Sequence, residues 1–355
     1  MKAEDLWKIS TGRNVTVAVI DTGVARIPEL EGQVLPGKDF AAGEKGYEGD
    51  ERNDYDGHGT TMAGLIAGSG KHPSGDGAFG LAPGAKILPI RVPHEFNKTR
   101  PSWTAAIRYA ADSEARVISI SMATAQDDPA RADAVKYALS KGKLIFAGVG
   151  NDGGSTNPVL YPAATPGVVG VAAVDHDGAA TKESQHGPQV DMAAPGIDII
   201  TACKRDTGLC NSHGTSDATA LTSASAALLW SVHPTWTNNQ ILRVLLNTAG
   251  KPVDGVERND YIGYGVVRPR VALPTPGDPG PPDVYPLPDL AAAAAKDTPV
   301  PSTGGKITPS QAPQAAPAVD KGDGSSWTWI ALGLGACVLI GGAVTAVVVR
   351  RAANR

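Results

Sequence analysis

With 355 residues and a formal net charge of −4, the chain is long enough for one large or two ordinary domains with an ample core. The near-balance of charge, with no basic block before the C-terminus, excludes nucleic acid as a main partner. The three cysteines, Cys203, Cys210 and Cys337, fall in no zinc pattern, and the histidines outside 57–59 have no ligand spacing. Neither a metal nor a cofactor is expected.

No secretory signal is read in residues 1–10, which lack an apolar core followed by a small-residue cleavage site. Residues 15–20 are a nearly continuous β-branched run and predict a buried parallel strand. The run stops at Asp21, which sets a carboxylate just past a strand's C-terminal end, where open α/β sheets gather their ligands. The loop 37–57 is rich in Gly, Asp and Glu. Asp50, Asn53, Asp54 and Asp56 lack the closing Glu of an EF-hand, and the loop reads as solvated. Residues 58–68 predict a helix with a small-residue packing face, beginning at His58. There follow a strand at 86–92, a helix at 102–111, a strand at 116–121, a helix at 129–140, and strands at 143–148 and 168–174. The alternation predicts an α/β fold, a parallel sheet flanked by helices on both faces.

Residues 214–230 then stand out. Ala218, Thr219, Ala220, Thr222, Ser223, Ala224 and Ser225 lead into Ala226, Ala227, Leu228, Leu229 and Trp230. Small residues over several turns suit a helix packed tightly inside a protein. Ser216 falls at its start, among unpaired N–H groups and the positive end of the dipole. A serine there is either an N-cap or a hydroxyl placed to attack a carbonyl. A further helix is expected at 237–248. Cys203 and Cys210 are close enough in sequence for a bridge or for two free thiols. A bridge is the expectation, because it would close a loop just before Ser216.

Residues 1–273 read as the globular domain. Residues 274–326, rich in Pro, Ala and Gly, read as a disordered linker. Residues 327–349 carry no charge and are long enough for one transmembrane helix across a ~30 Å hydrocarbon core. Trp327 and Trp329 mark one interface and Arg350 and Arg351 the other. Positive residues favour the cytoplasmic side, so 350–355 is the expected cytoplasmic tail and the catalytic domain is expected to be extracellular at the cell membrane.

Three stretches carry a resemblance. Ala18-Val19-Ile20-Asp21-Thr22-Gly23-Val24, Asp56-Gly57-His58-Gly59-Thr60-Thr61-Met62-Ala63-Gly64 and Gly214-Thr215-Ser216 resemble the signature blocks of the subtilisin-like serine proteases, in that family's Asp, His, Ser order. The blocks at 80–86, 161–163 and 190–196 add to it. With the linker and apolar run, the chain looks most like the mycosins, the membrane-anchored subtilisin-like proteases of type VII secretion systems. The resemblance implies a polypeptide substrate and secretion-system partners. It implies Asp21 as orienter, His58 as base, Ser216 as nucleophile and Asn151 as oxyanion donor. It also implies substrate-binding walls made by Ser119, Ser121, Met122, Ala123, Gly148, Val149 and Gly150. Where the family has an aromatic or Met after the nucleophile, this chain has Asp217, and Ala220 stands where Pro is usual. Asp217 is expected to be a structural carboxylate, favoured in a helix's first turn by ~0.3–1 kcal/mol when exposed. These departures keep open a second reading, a weakly active scaffold component of a secretion complex.

Overall fold

The computed structural model describes residues 1–93, 101–204 and 208–297. A short helix, α1 (Ala3–Trp7), buries Leu6 and leads into β1 (Thr16–Asp21). Alternate residues of β1 face opposite layers. Val17 and Val19 join the core of Met62, Ile66, Ala224 and Leu228, whereas Ala18 and Ile20 join that of Ile107, Ala110, Ala134 and Val135. This two-sided burial is why the strand reads as an unbroken apolar run.

After a turn of 3-10 helix at Pro28–Leu30 come β2 (Lys38–Asp39), α2 (His58–Ala67), β3 (Lys86–Arg91), α3 (Pro101–Asp112), β4 (Val117–Ile120), α4 (Pro129–Ser140), β5 (Leu144–Gly148), β6 (Val169–Val174) and β7 (Met192–Pro195). Strands β1 to β7 form one sheet in the order β2-β3-β1-β4-β5-β6-β7, and the pairs are parallel. The expected strands and helices agree with these bounds to within one residue at each end. Helix α4 starts where it does because Asp128 caps it, accepting from Ala130 N–H at 3.0 Å, with Pro129 at the first helical position.

A disulfide-linked hairpin, β8 (Ile199–Ala202) and β9 (Leu209–Ser212), precedes the central helix α5 (Thr215–Val232). The Cys203–Cys210 bridge joins Cα atoms 5.9 Å apart. In α5 residues 217–230 are all buried. The hydroxyls of Thr219, Thr222 and Ser225 donate back to the carbonyls of Thr215, Ala218 and Leu221 at 2.7, 2.8 and 2.7 Å. Polar side chains thereby enter the core without leaving those donors unpaired. Helix α6 (Asn238–Asn247) begins with a capping box between Thr237 and Gln240, and α7 (Pro269–Ala272) and α8 (Asp289–Asp297) follow.

The body continues past 273, beyond the expected domain boundary. Arg243 of α6 donates to the carbonyls of Pro279 and Pro281 at 2.7 and 3.0 Å, and to that of Val284. Thr237 and Asn239 both donate to Pro282 O at 2.9 Å. Leu287 is buried in the main core. A Pro-rich segment offers carbonyls without donors of its own, and α6 supplies the donors; composition alone cannot reveal such a partner. Leu287→Ala is expected to cost about 2–4 kcal/mol, seen as a melting temperature several degrees lower. Unchanged melting would mean that this strap is not part of the folded unit. The rest of the expected linker, the expected membrane run and the tail lie outside the described residues. Among the described residues no helix is long and apolar enough to cross a membrane.

The strap also brings two carboxylates to one corner of the sheet. Asp289 accepts from Gly167 N–H at 2.5 Å and Asp191 from Gly170 N–H at 2.9 Å. Burial pushes Asp191 up to about 8, and Asp289 adds to the rise while the Gly170 bond and Arg258 oppose it. A carboxyl raised in the folded state stabilises fully only below its unfolded value, and that stabilisation fades as pH rises through the folded value. Urea unfolding should therefore show lower stability at pH ~9 than at pH ~5, and Asp191→Asn should flatten that difference. A slope unchanged by the substitution would remove Asp191 as its source.

Candidate active site

The C-terminal ends of the central strands meet at one edge of the sheet. Asp21 is the last residue of β1 and Gly148 of β5, and Ser121 follows β4 directly. Asp21 is 1 % exposed. Its Oδ1 accepts from Thr22 N–H at 2.8 Å and from His58 Nδ1 at 2.8 Å; its Oδ2 is buried without a partner among the described residues. His58 is the first residue of α2, and the contact fixes Nδ1 as its donor and leaves Nε2 toward the cleft chemistry. Gly59 makes the approach possible: a Cβ there would lie 2.2 Å from the Gly23 carbonyl and 3.0 Å from Asp21 Cβ.

The expectation of a solvated acidic loop fails at Asp54, which is 2 % exposed. Its Oδ1 accepts from Thr22 Oγ1 at 2.7 Å and Gly57 N–H at 2.7 Å, and its Oδ2 from Thr60 N–H at 2.8 Å and Thr60 Oγ1 at 2.6 Å. The carboxylate thus gathers the orphan N–H groups at the start of α2 and ties them to the chain after β1. Its position four residues before His58 was visible in the sequence, but the inward turn that buries it was not.

Ser216 is the second residue of α5, and Gly214 is the N-cap. Gly214 has φ 115°, and a Cβ on it would stand 2.9 Å from Asn151 Nδ2. The capping reading of Ser216 is therefore displaced: its hydroxyl donates to the Ser121 carbonyl at 3.3 Å, while Ser121 Oγ donates to the Ser216 carbonyl at 3.2 Å. Among the described residues no hydrogen bond joins Ser216 Oγ to His58. Asn151 Oδ1 accepts from Thr215 N–H at 2.9 Å and from Thr215 Oγ1 at 3.0 Å. With its oxygen so occupied, the Asn151 amide presents its NH₂ as the free donor.

His58, Asn151, Thr215 and Ser216 line a cleft of about 420 Å³ with Thr22, Tyr55, Asp56, Ser121, Met122, Ala123, Gly148, Gly150 and Leu160; Asp21 is buried and in contact with His58. Two expected wall residues are elsewhere. Ser119 is buried within β4 and Val149 lies in the core layer of α3 and α4. Only chain past the strand ends reaches the cleft, and alternation turns Val149 inward between Gly148 and Gly150. A larger hollow of about 590 Å³ is lined by none of these residues.

Electrostatics set the state of the base. Desolvation pulls the His58 imidazolium down most strongly, but the charge and hydrogen bond of Asp21, with Asp56 and Asp217, outweigh it and lift His58 to about 9. While the imidazole holds its second proton it cannot accept that of Ser216. Asp217 lies in the first turn of α5, as expected, but is wholly buried, so the magnitude for an exposed first-turn carboxylate does not apply to it. Burial lifts its carboxyl to about 6, while the Ser212 hydroxyl, His58 and His213 hold it lower than burial alone would.

The family model described as the subtilase family matches residues 12–265. Over 267 residues the chain is 34% identical to subtilisin E of Bacillus subtilis, covering 74% of this chain and 66% of that protein. It therefore spans just under two thirds of that relative's length. It is 35% identical over 255 residues to thermitase of Thermoactinomyces vulgaris, covering 71% of this chain and 86% of thermitase. Among solved structures it is similar to MycP1 from the ESX-1 type VII secretion system, with TM-score 0.68 and 29% identity over 80% of this chain and 86% of that one. The chain belongs to the subtilase family.

Proposed function

We propose that the protein is a serine endopeptidase that hydrolyses peptide bonds through an acyl-enzyme. One observation carries the reading: His58, joined to the buried Asp21 at 2.8 Å, lines a single cleft with Ser216 and Asn151. In this scheme neutral His58 takes the Ser216 proton through Nε2 as Oγ attacks the scissile carbonyl. Asp21 holds the tautomer and stabilises the imidazolium that results. The developing oxyanion is met by the Asn151 amide and the Ser216 backbone N–H at the positive end of α5. The imidazolium then protonates the departing amine, and water completes the cycle by the same base. The chain after β4, residues 121–123, and the glycines flanking Val149 would pair with an extended substrate as added strands.

The run 327–349 would anchor this domain outside the cell. The likeness to MycP1, whose description names a type VII secretion system, supports association with such a machine. Incubation with a fluorophosphonate probe, followed by peptide mass spectrometry, tests the catalytic reading. A single adduct on Ser216 is expected. A folded protein that takes no label would instead favour the scaffold reading, for which the departures at Asp217 and Ala220 speak.

A further inference from the structure

A carboxylate directly after a nucleophilic serine is a liability unless it does something there. Asp217 is wholly buried, yet its pairing is incomplete. Its Oδ1 accepts from Ser212 Oγ at 2.8 Å, and its Oδ2 is buried with no partner among the described residues. Ser212 is the last residue of β9, and it lines a recess of about 410 Å³ with His58, Asp56, Lys204 and the two bridged cysteines. His58 also lines the cleft that holds Ser216. The imidazole is therefore a partition between two hollows. Asp217 is tied, through the wall of the second, to the rear of that partition.

We propose that Asp217 is a positioning residue for the His58 base: its buried charge adds to that of Asp21 and raises the pH at which the imidazole becomes free to take the Ser216 proton. The inference rests on the reading of His58 as base and Ser216 as nucleophile, and deepens it. A buried charge with one hydrogen bond is poorly screened, so its field reaches a neighbouring ring. An imidazole facing more negative charge holds its proton to higher pH. Among the described residues the groups that face His58 are the carboxylates of Asp21, Asp56 and Asp217, Tyr55 across the cleft, and Lys204, whose Nζ donates to the Asp54 carbonyl at 2.9 Å. Those that act on Asp217 are His58, His213 and Glu183. Asp21 holds the ring by a direct bond and Asp56 is exposed. Asp217 is thus the removable buried charge, and its loss leaves the Asp21–His58 contact in place.

The rate of fluorophosphonate labelling, followed from about pH 5 to about pH 10, reads the availability of the neutral base without needing a peptide substrate. The wild-type rate should climb through neutrality and level off only toward the alkaline end of that range. Asp217→Asn should carry that limb about one pH unit toward acid, so that labelling at pH 7 quickens by up to about tenfold while the plateau holds. Ser212→Ala, which removes the one bond that favours the ionised carboxylate, should move the limb the same way by a smaller amount. It also serves as the deciding variant if Asp217→Asn does not fold. A limb that stays in place, or moves toward alkali, overturns the proposal; so does a lower plateau with an unmoved limb, which a merely structural carboxylate would produce. The two readings fail separately. No labelling of wild-type Ser216 removes the catalytic reading and this proposal with it, whereas labelling with an unmoved limb removes this proposal alone.

Discussion

Ser216→Ala is expected to lower kcat by about 10⁶, a magnitude taken from the nucleophile of a subtilisin triad, with the fold intact. The structure explains why the fold should persist. Ser216 gives one hydroxyl bond, to the Ser121 carbonyl at 3.3 Å, and α5 is capped by Gly214 and secured by Thr215 through Asn151. Removing Oγ leaves those ties in place and opens no buried cavity, since the residue lines the cleft. Circular dichroism and thermal melting should match the wild type while hydrolysis of an unstructured polypeptide falls to background. Undiminished hydrolysis by the purified variant would sink the assignment of Ser216.

The second large effect is expected at Asn151. The family-typical loss for one oxyanion donor is ~10²–10³ in kcat, but Asn151 does two things here. Its oxygen holds Thr215, and its nitrogen is free to donate. Replacement by Ala would confound the two. Asn151→Asp keeps an acceptor for the Thr215 N–H and hydroxyl and removes only the donor, putting a negative charge where negative charge must develop. The fall in kcat should therefore reach or exceed ~10³, with KM nearly unchanged because the ground-state carbonyl gains little from this donor. Equal falls in kcat for Asn151→Asp and Asn151→Ala, with a comparable drop in melting temperature, would instead mark Asn151 as a fastener of α5.

How much of this was legible beforehand follows from the range of the forces involved. The strands around Val17, Ile118 and Val171 announce themselves because burial on both faces leaves an apolar run that any reader can see. Helix α4 is bounded by Asp128 and Pro129, a local capping signal. The Asp21, His58 and Ser216 stretches were readable because each needs its own glycine: Gly23 beside Asn53, Gly59 beside Asp21, Gly214 beside Asn151. What stayed hidden is long-range. Strands β8 and β9 are short and partly exposed, so no apolar run marks them. Residues 274–293 look like a tether because their partners, Arg243 and Gln240, are in another element. Asp54 and Asp217 look like surface acids, since nothing in a local window distinguishes a carboxylate that turns inward from one that turns out. Ser119 was placed with the walls by its motif, but a strand interior cannot reach a cleft at the strand's end.

The strap has a directional consequence. In a parallel sheet every strand runs the same way, so the side chains that meet at Asp21, Ser121 and Gly148 occupy one pole. Asp289 is fastened to Gly167, just before β6 begins, and Asp191, at the entry to β7, stands beside it. Both belong to the opposite pole. The strap therefore grips the body at the end of the sheet away from the cleft, so loosening it should lower melting without touching the geometry around His58 and Ser216.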